Sequence, residues 1–272
     1  MQSFTCAPVE IFNSFWRNRS LIKALVQREV IGRYRGSALG ILWSFFNPIF
    51  MLVVYTFVFS VVFKARWSGG SESRTEFALV LFAGLIVFNL FAECVSRAPG
   101  LILGNINYVK KVVFPLEILP WVSIGSALFH LSISVFVWLI FYMIEVGLPH
   151  PTIFLLPIVL LPILILIMGL SWMLASLGVY LRDVGQIVGI LITVLMFLSP
   201  IFFPIDALPL NYQKFMLMNP LSPAIEQIRD ILYWGKMFDL KMYVVYLLSS
   251  SMIAWLGFAW FQKSRKGFAD VL

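Results

Sequence analysis

Long apolar runs alternate with short polar segments along the whole chain. A helix needs about 20 apolar residues to cross ~30 Å of hydrocarbon. Runs almost free of charged residues predict six spans, at about 39–63, 77–96, 118–144, 152–179, 185–204 and 243–262. Backbone polar groups in lipid must be satisfied within the protein, which favours helices. We therefore predict an all-α integral membrane protein with a single transmembrane domain over residues 1–272.

Residues 205–234 resemble neither a span nor an ordinary loop. Prolines at 204, 209, 220 and 223 interrupt a largely apolar segment, and each proline removes a backbone donor. We predict short re-entrant helices that dip into the outer leaflet while buried in protein. Prolines 48, 157, 162 and 200 also lie inside predicted spans, where they predict kinks.

The distribution of basic residues predicts the orientation. Of the 20 Lys and Arg residues, 13 lie on one side of the predicted spans. Cytoplasmic loops of membrane proteins collect Lys and Arg, so both termini are predicted to be cytoplasmic. The net charge of +7 is thus a topology signal and does not indicate nucleic-acid binding. The only two cysteines, Cys6 and Cys94, suggest no disulfide framework.

The segment 9–35 precedes the first span directly. Apolar residues recur there every three or four positions with basic residues between them. This spacing predicts an interfacial amphipathic helix, or a pair of helices, at the membrane surface. Two interpretations remain open: a positive-inside anchor, or a surface that also docks a soluble subunit.

The spans offer little for enzymatic or ion-coupled chemistry. No His, Cys, Asp and Glu grouping has metal-ligand spacing, and no phosphate-binding loop is present. His130 and His150 are isolated in the sequence, and we interpret both as structural. Apart from Glu93 near the end of the second span, the spans lack ionisable groups that carry a coupling ion. We expect no cofactor on this chain and an energy supply through contact with another protein.

Three cytoplasmic segments are candidates for that contact. They are the N-terminal helix, the segment 105–111 and the short turn 180–184. The candidate coupling residues are Leu21, Leu25, Arg28, Asn105, Tyr108, Lys110, Lys111, Arg182 and Asp183. For Arg182 and Asp183 a local salt bridge of small energy is an equally good explanation.

Aromatic residues make up 16% of the chain. Rings at span ends are explained as interface belts. Rings deeper in the spans have a second explanation, because flat amphipathic faces suit sliding contact with a bulky uncharged substrate such as sugar. The candidate channel-lining residues are Trp43, Phe46, Tyr55, Phe88 and Phe197, with lipid contact or core packing as the alternative for each.

Several motifs resemble one known family in the right order along nearly the whole chain. The run from Arg28 to Trp43, followed by Asn47-Pro48, resembles the start of the transmembrane subunit of polysaccharide-exporting ABC transporters of type 2. Segments 105–115, 181–184, 219–222 and 268–270 are similar to later parts of that family. We therefore identify the chain as resembling a permease of this type.

The resemblance implies a homodimer that joins two separate ATP-hydrolysing subunits in the bacterial inner membrane. ATP and Mg²⁺ would belong to those partners, and the cargo would be a lipid-linked glycan exported from cytoplasm to periplasm. At the membrane edge, Arg33 and Arg35 would hold its phosphate through charge-assisted bonds. Alternatives are a type 2 exporter of small lipids or drugs and, from another class, a membrane enzyme acting on lipid-linked sugars.

Overall fold

The chain folds into helices joined by turns. The computed structural model describes residues 7–62, 74–110 and 114–272, and these contain no strand. The α-helices are α1 (Pro8–Arg17), α2 (Arg19–Tyr34), α3 (Trp43–Tyr55), α4 (Arg74–Arg97), α5 (Ile106–Lys110), α6 (Leu119–Glu145), α7 (Leu156–Tyr180), α8 (Val184–Leu198), α9 (Leu210–Met218), α10 (Ser222–Arg229), α11 (Leu240–Ser264) and α12 (Phe268–Val271). The all-helical prediction is confirmed.

Five helical segments in the described part are long and apolar enough to cross a membrane. They are Gly40–Phe59, Thr75–Gly100, Leu116–Glu145, Pro151–Tyr180 and Leu240–Val271. These segments correspond to the first, second, third, fourth and sixth predicted spans. The integral membrane class is therefore confirmed, whereas the count of six spans stays a prediction.

The fifth predicted span, 185–204, is helical only as far as Leu198. The helix α8 has 15 residues, which at about 1.5 Å per residue is shorter than the hydrocarbon layer. Ser199 is extended, with φ −98° and ψ 151°, because the proline that follows disfavours the helical conformation in the preceding residue. Pro200 therefore ends α8 and does not kink it.

The helix α4 lies at the centre of the packed core. Most of its side chains are buried among α6, α7, α8 and α10. Two buried indoles tie neighbouring elements to one another. Trp138 donates a hydrogen bond to the carbonyl oxygen of Leu79 over 2.9 Å, and Trp172 donates one to that of Glu117 over 3.0 Å. Burial of these polar indoles is tolerated because both N–H groups are satisfied.

The helices α7 and α11 pack with their backbones in close contact. A Cβ added to Gly169 would lie 2.6 Å from the Cα of Ala254, and one added to Gly257 would lie 2.1 Å from the carbonyl oxygen of Gly169. Without a hydrophobic driving force in lipid, helices associate by such close contacts between small residues. Glycine is therefore required at both positions.

Two short helices, α9 and α10, occupy the segment between α8 and α11. The helix α10 is buried against α4 and α7, and Ile225 and Ile228 are inaccessible to solvent. By contrast, α9 exposes Leu210 and Tyr212. The broken helical character predicted for 205–234 is therefore present, and its insertion into the outer leaflet stays a prediction.

The N-terminal segment is a pair of helices, divided at Asn18. The apolar face of α2 packs on the start of the third span, where Ile22 and Leu25 contact Ile118 and Val122. The helix α1 buries Ser14, whose hydroxyl donates to Oε1 of Glu117 over 3.1 Å.

Glu117 also anchors the far end of the chain. Its second carboxylate oxygen accepts from Arg265, just after α11, over 2.8 Å. Hydrogen bonds of one buried carboxylate thus join α1, the third span and the segment that follows α11.

Candidate functional site

A groove of about 930 Å³ opens along the side of the bundle. The end of α2, the helix α3, several turns of α4 and single turns of α6 and α8 form its walls. Aromatic and apolar groups of α3 line one side, and polar groups of α4 and α6 line the other. The lining includes Arg33, Tyr34, Trp43, Ser44, Phe46, Asn47, Phe50, Tyr55, Asn89, Glu93, Ser96, His130 and Ser134.

Three of the five predicted channel aromatics line this groove. Trp43 and Phe46 are about half exposed, and their ring centroids lie 6.0 Å apart. Tyr55 lies further along the same helix. Phe88 is instead packed in the core with 4% exposure. Phe197 is exposed outside the groove lining and stacks on Phe202 with centroids 6.0 Å apart. The geometry therefore supports a lining role for the three α3 residues. Phe88 and Phe197 do not line the groove.

A polar cluster closes one end of the groove around the carboxylate of Glu93. Nη2 of Arg33 donates to Oε1 of Glu93 over 2.5 Å. Nδ1 of His130 lies 3.1 Å from both carboxylate oxygens, and its Nε2 lies 3.1 Å from the hydroxyl of Tyr34. The helices α2, α4 and α6 each contribute to this cluster.

The cluster contains donors that its carboxylate does not satisfy. Nη1 of Arg33 lies 3.0 Å from Nδ1 of His130, and one ring nitrogen cannot accept from Arg33 while it donates to Glu93. Nη1 of Arg97 is 3.7 Å from Oε1 of Glu93 and is buried without a hydrogen-bond partner among the described residues. Nη2 of Arg97 donates to Glu29. The cluster is therefore suited to hold an anion.

The two predicted headgroup residues have different surroundings. Arg33 lies in the cluster, paired with Glu93. Arg35 follows α2 as an exposed residue outside the groove lining. Sequence reasoning did not include Tyr34, Glu93, Arg97 and His130 in this site. The available signal was the presence of ionisable residues in or beside spans, which by default indicates function.

A second groove, of about 580 Å³, lies between α2 and the segment after α4. Leu25, Arg28 and Asn105 of the predicted coupling set line it. Nη2 of Arg28 donates to the hydroxyl of Tyr108 over 2.9 Å. The Tyr108 ring stacks on Phe114 with centroids 4.2 Å apart. The structure thus brings together two segments that the sequence singled out separately.

The remaining coupling candidates are more scattered. Leu21 is half-buried beside Leu25, whose side chain faces the third span. Lys110 donates to the backbone carbonyl of Leu272, and Lys111 lies outside the described residues. Arg182 and Asp183 are exposed on the turn between α7 and α8. No salt bridge between these two is present in the described part of the chain.

Comparison with known proteins places these features in a family. Residues 20–233 match the family of ABC-2 type transporters. That match covers most of the chain, including both grooves and the short helices α9 and α10. The chain therefore belongs to the ABC-2 type transporter family, and the family resemblance inferred from its motifs is confirmed.

Individual relatives of this chain have names that specify the transported material. An O-antigen export system permease protein of Myxococcus xanthus is 27% identical over 264 residues, which are 96% of this chain and 99% of that protein. A polysialic acid transport protein of Escherichia coli is 25% identical over 217 residues, covering 79% and 81%. A capsule polysaccharide export inner-membrane protein of Neisseria meningitidis is 27% identical over 263 residues, covering 93% and 96%. Family membership confirms a transporter subunit and excludes the membrane-enzyme alternative.

Proposed function

We propose that this chain is the permease subunit of an ATP-driven exporter that moves a lipid-linked polysaccharide from cytoplasm to periplasm across the bacterial inner membrane. The main support for this proposal is the groove, which combines aromatic rings on α3 with a cationic cluster at one end. Rings offer sugar faces a sliding surface, and guanidinium groups recognise phosphate. A phosphate-linked glycan carries both chemistries. Arg33 and Arg35 are its proposed headgroup contacts, and the curated relatives support the same substrate class.

A homodimer is the second part of the proposal. The segment Gly40–Phe59 and the helix α8 expose most of their apolar side chains, and only Val188 of α8 is buried. Because the groove opens between these two elements, a second copy placed against them would enclose it. The channel would then lie between the copies, lined by Trp43, Phe46 and Tyr55 of each.

Two separate ATP-binding subunits would drive the cycle from the cytoplasmic side. The proposed docking surface is the second groove with the Arg28–Tyr108 contact and the exposed turn at Arg182 and Asp183. ATP and Mg²⁺ would be bound by those partners. In this arrangement both termini are cytoplasmic, six segments cross the membrane, and α9 and α10 re-enter from the outer side.

Deletion of the gene with complementation tests the function. We expect loss of surface polysaccharide and accumulation of a lipid-linked glycan on the cytoplasmic side, both restored by the intact chain. Unchanged surface polysaccharide together with altered drug resistance would instead favour the remaining alternative, an exporter of drugs or small lipids.

Site-directed cross-linking in native membranes tests the homodimer. In a Cys6→Ser background, Ile190→Cys on the exposed face of α8 should form cross-links between copies, whereas Met252→Cys on the exposed face of α11 should not. The buried Cys94 stays unreactive in both variants. Equal cross-linking at both positions would contradict the proposed interface.

A further inference from the structure

Three donor side chains surround a single carboxylate in the polar cluster. Nη2 of Arg33 lies 2.5 Å from Oε1 of Glu93, Nδ1 of His130 lies 3.1 Å from it, and Nη1 of Arg97 lies 3.7 Å from it. Carboxylate and phosphate oxygens accept the same charge-assisted hydrogen bonds and fit the same guanidinium fork. Glu93 therefore occupies the place that a bound oxyanion would take.

We propose that Glu93 is an exchangeable anion, which holds the guanidinium of Arg33 when no ligand is bound and gives way to a phosphate or pyrophosphate ester. Tyr34 and His130 complete the site, because their hydroxyl and ring nitrogens lie within hydrogen-bond distance of one another beside Arg33. This inference rests on the proposed function. To the proposed function it adds which residues form the headgroup site and which contact is exchanged when the headgroup binds.

The displaced carboxylate already has a second cation within reach, because Nη1 of Arg97 lies 3.7 Å from Oε1 of Glu93. Arg97 lies one turn after Glu93 on α4, and its Nη1 has no hydrogen-bond partner among the described residues. Side chains at this spacing face each other on a helix. A small rotation of Glu93 therefore moves its charge from Arg33 to Arg97, while Nη2 of Arg97 stays on Glu29. Every charge remains paired throughout the exchange.

The exchange also changes how α2 is attached. In the described part of the chain, two ion pairs join α2 to α4, namely Arg33–Glu93 and Glu29–Arg97. Ligand binding breaks the first pair and shortens the Glu93–Arg97 contact inside α4, whose atoms already lie 3.7 Å apart. The helix α2 also carries Arg28, which donates a hydrogen bond to Tyr108 in the predicted coupling segment. Ligand binding in the groove would therefore be transmitted through α2 to the proposed docking surface.

Direct binding to the purified transporter, assembled with its ATP-binding partner in phosphatidylcholine nanodiscs, tests the proposal. The probes are farnesyl pyrophosphate, inorganic pyrophosphate and farnesol, so that a lipid headgroup, a free anion and a lipid tail are distinguished. We expect Glu93→Gln to bind farnesyl pyrophosphate up to about fivefold more tightly than wild type, the gain expected from removing a partly exposed competing ion pair. Arg33→Gln should bind it about tenfold more weakly or worse, and farnesol binding should not change.

The double variant Arg33→Gln with Glu93→Gln separates exchange from general electrostatics. If Glu93 competes for Arg33, its removal has no benefit once Arg33 is absent, and the double variant binds like Arg33→Gln alone. Glu10→Gln is the matched control, because it removes a cytoplasmic-end carboxylate that pairs with Arg17 outside the cluster. Glu93→Asp keeps the charge on a shorter side chain and should give an intermediate gain, which covers the case that Glu93→Gln folds poorly.

Several results would overturn the proposal. Unchanged or weaker binding in both Glu93 variants refutes the exchange, as does a gain that persists without Arg33 or appears equally in Glu10→Gln. Tyr34→Phe and His130→Ala should each weaken binding about threefold or more, and unchanged binding removes that residue from the site. Tight inorganic pyrophosphate binding equal to that of the lipid probe assigns the site to a free anion. All of these outcomes are independent of whether gene deletion abolishes polysaccharide export, which tests the proposed function.

Discussion

Single residues show where tertiary contacts override sequence expectations. Arg229 counts among the non-cytoplasmic basic residues in the sequence, yet it is 1% exposed. It donates to the carbonyl oxygens of Val80, Pro200 and Ile201 over 3.1, 2.5 and 2.7 Å. Burial lowers the pKa of Arg229 to about 10, with Glu226 acting in the opposite direction, so the side chain is still charged at neutral pH. Glycine at position 84 makes room for the Arg229 guanidinium, because a Cβ at that position would lie 2.9 Å from Nη2 of Arg229.

Replacing Arg229 should therefore destabilise the fold. Arg229→Lys keeps the charge but loses the planar fork that reaches three carbonyls, and Arg229→Met removes the hydrogen bonds to all three carbonyl oxygens. We expect losses of about 2–5 kcal/mol, seen as a lower midpoint in thermal unfolding of the detergent-solubilised protein. Lys214→Met, at an exposed position of α9, is the control and should be nearly neutral. A wild-type midpoint for Arg229→Lys would show that the charge alone suffices.

At the scale of elements, backbone proximity matters more than apolar periodicity. The helices α7 and α11 both belong to segments that are long and apolar enough to cross a membrane. Their contact is instead selected by Gly169, Ala254 and Gly257, which let the backbones meet. In the same way, α8 is shortened by Ser199 and Pro200, although hydropathy alone continues beyond them.

Gly169→Ala tests this packing. A Cβ at this position would lie 2.6 Å from the backbone of α11, which cannot give way as a flexible side chain would. We expect a smaller yield of folded protein and a lower unfolding midpoint, with a cost of about 1–3 kcal/mol. Gly32→Ala in α2 meets nothing within 4 Å and should be neutral or stabilising, because alanine is the better helix former. Equal loss in both variants would contradict the packing argument.

The segment that contains α5 has a separate prediction. Charge reversal at Lys110 and Lys111 should uncouple ATP hydrolysis from export, since it inverts the charge of two residues that the sequence predicts to contact the ATP-binding subunits. ATPase activity of the reconstituted transporter, measured beside glycan export, reports this coupling. Lys263→Glu reverses an exposed charge at the end of α11 and should leave coupling intact. Normal coupling in the Lys110 and Lys111 double variant would remove this segment from the contact surface.

At the scale of the whole molecule, the groove is only partly enclosed. Its aromatic wall on α3 is exposed, and the neighbouring face of α8 is exposed too. A packed core lies behind them, centred on α4. The described part of the chain thus has a packed core and an incompletely enclosed groove beside an exposed apolar face, an arrangement that fits one half of a symmetric channel.

Aromatic truncations should separate transport from folding. Trp43→Ala and Phe46→Ala remove half-exposed rings from the groove wall, so export should fall several-fold while the amount of folded protein changes little. Phe88→Ala empties a packed site and should cost about 3–5 kcal/mol, so folded protein and export fall together. Export per folded molecule is the measurement. Matched losses in all three variants would show that the α3 rings serve packing.

Consecutive residues alone were enough to predict the helical membrane class, the five long spans and the family, all of which are confirmed. These properties follow from local hydropathy and from the order of the motifs, and both depend on residues that are close together in the sequence. The early break after α8 also has a local cause, although hydropathy alone did not reveal it.

The composition of the site depends on contacts between residues that are far apart in the sequence. Arg33 and Glu93 are 60 positions apart, and Arg229 and Val80 are 149 apart. His130, isolated in its span, has side-chain partners from two other helices, α2 and α4. Phe88 packs in the core, whereas Trp43 lines the groove. Such pairings depend on which helix faces meet, and in a chain that is 61% hydrophobic periodicity distinguishes those faces poorly. Close approach of small residues and a few buried polar contacts select them instead.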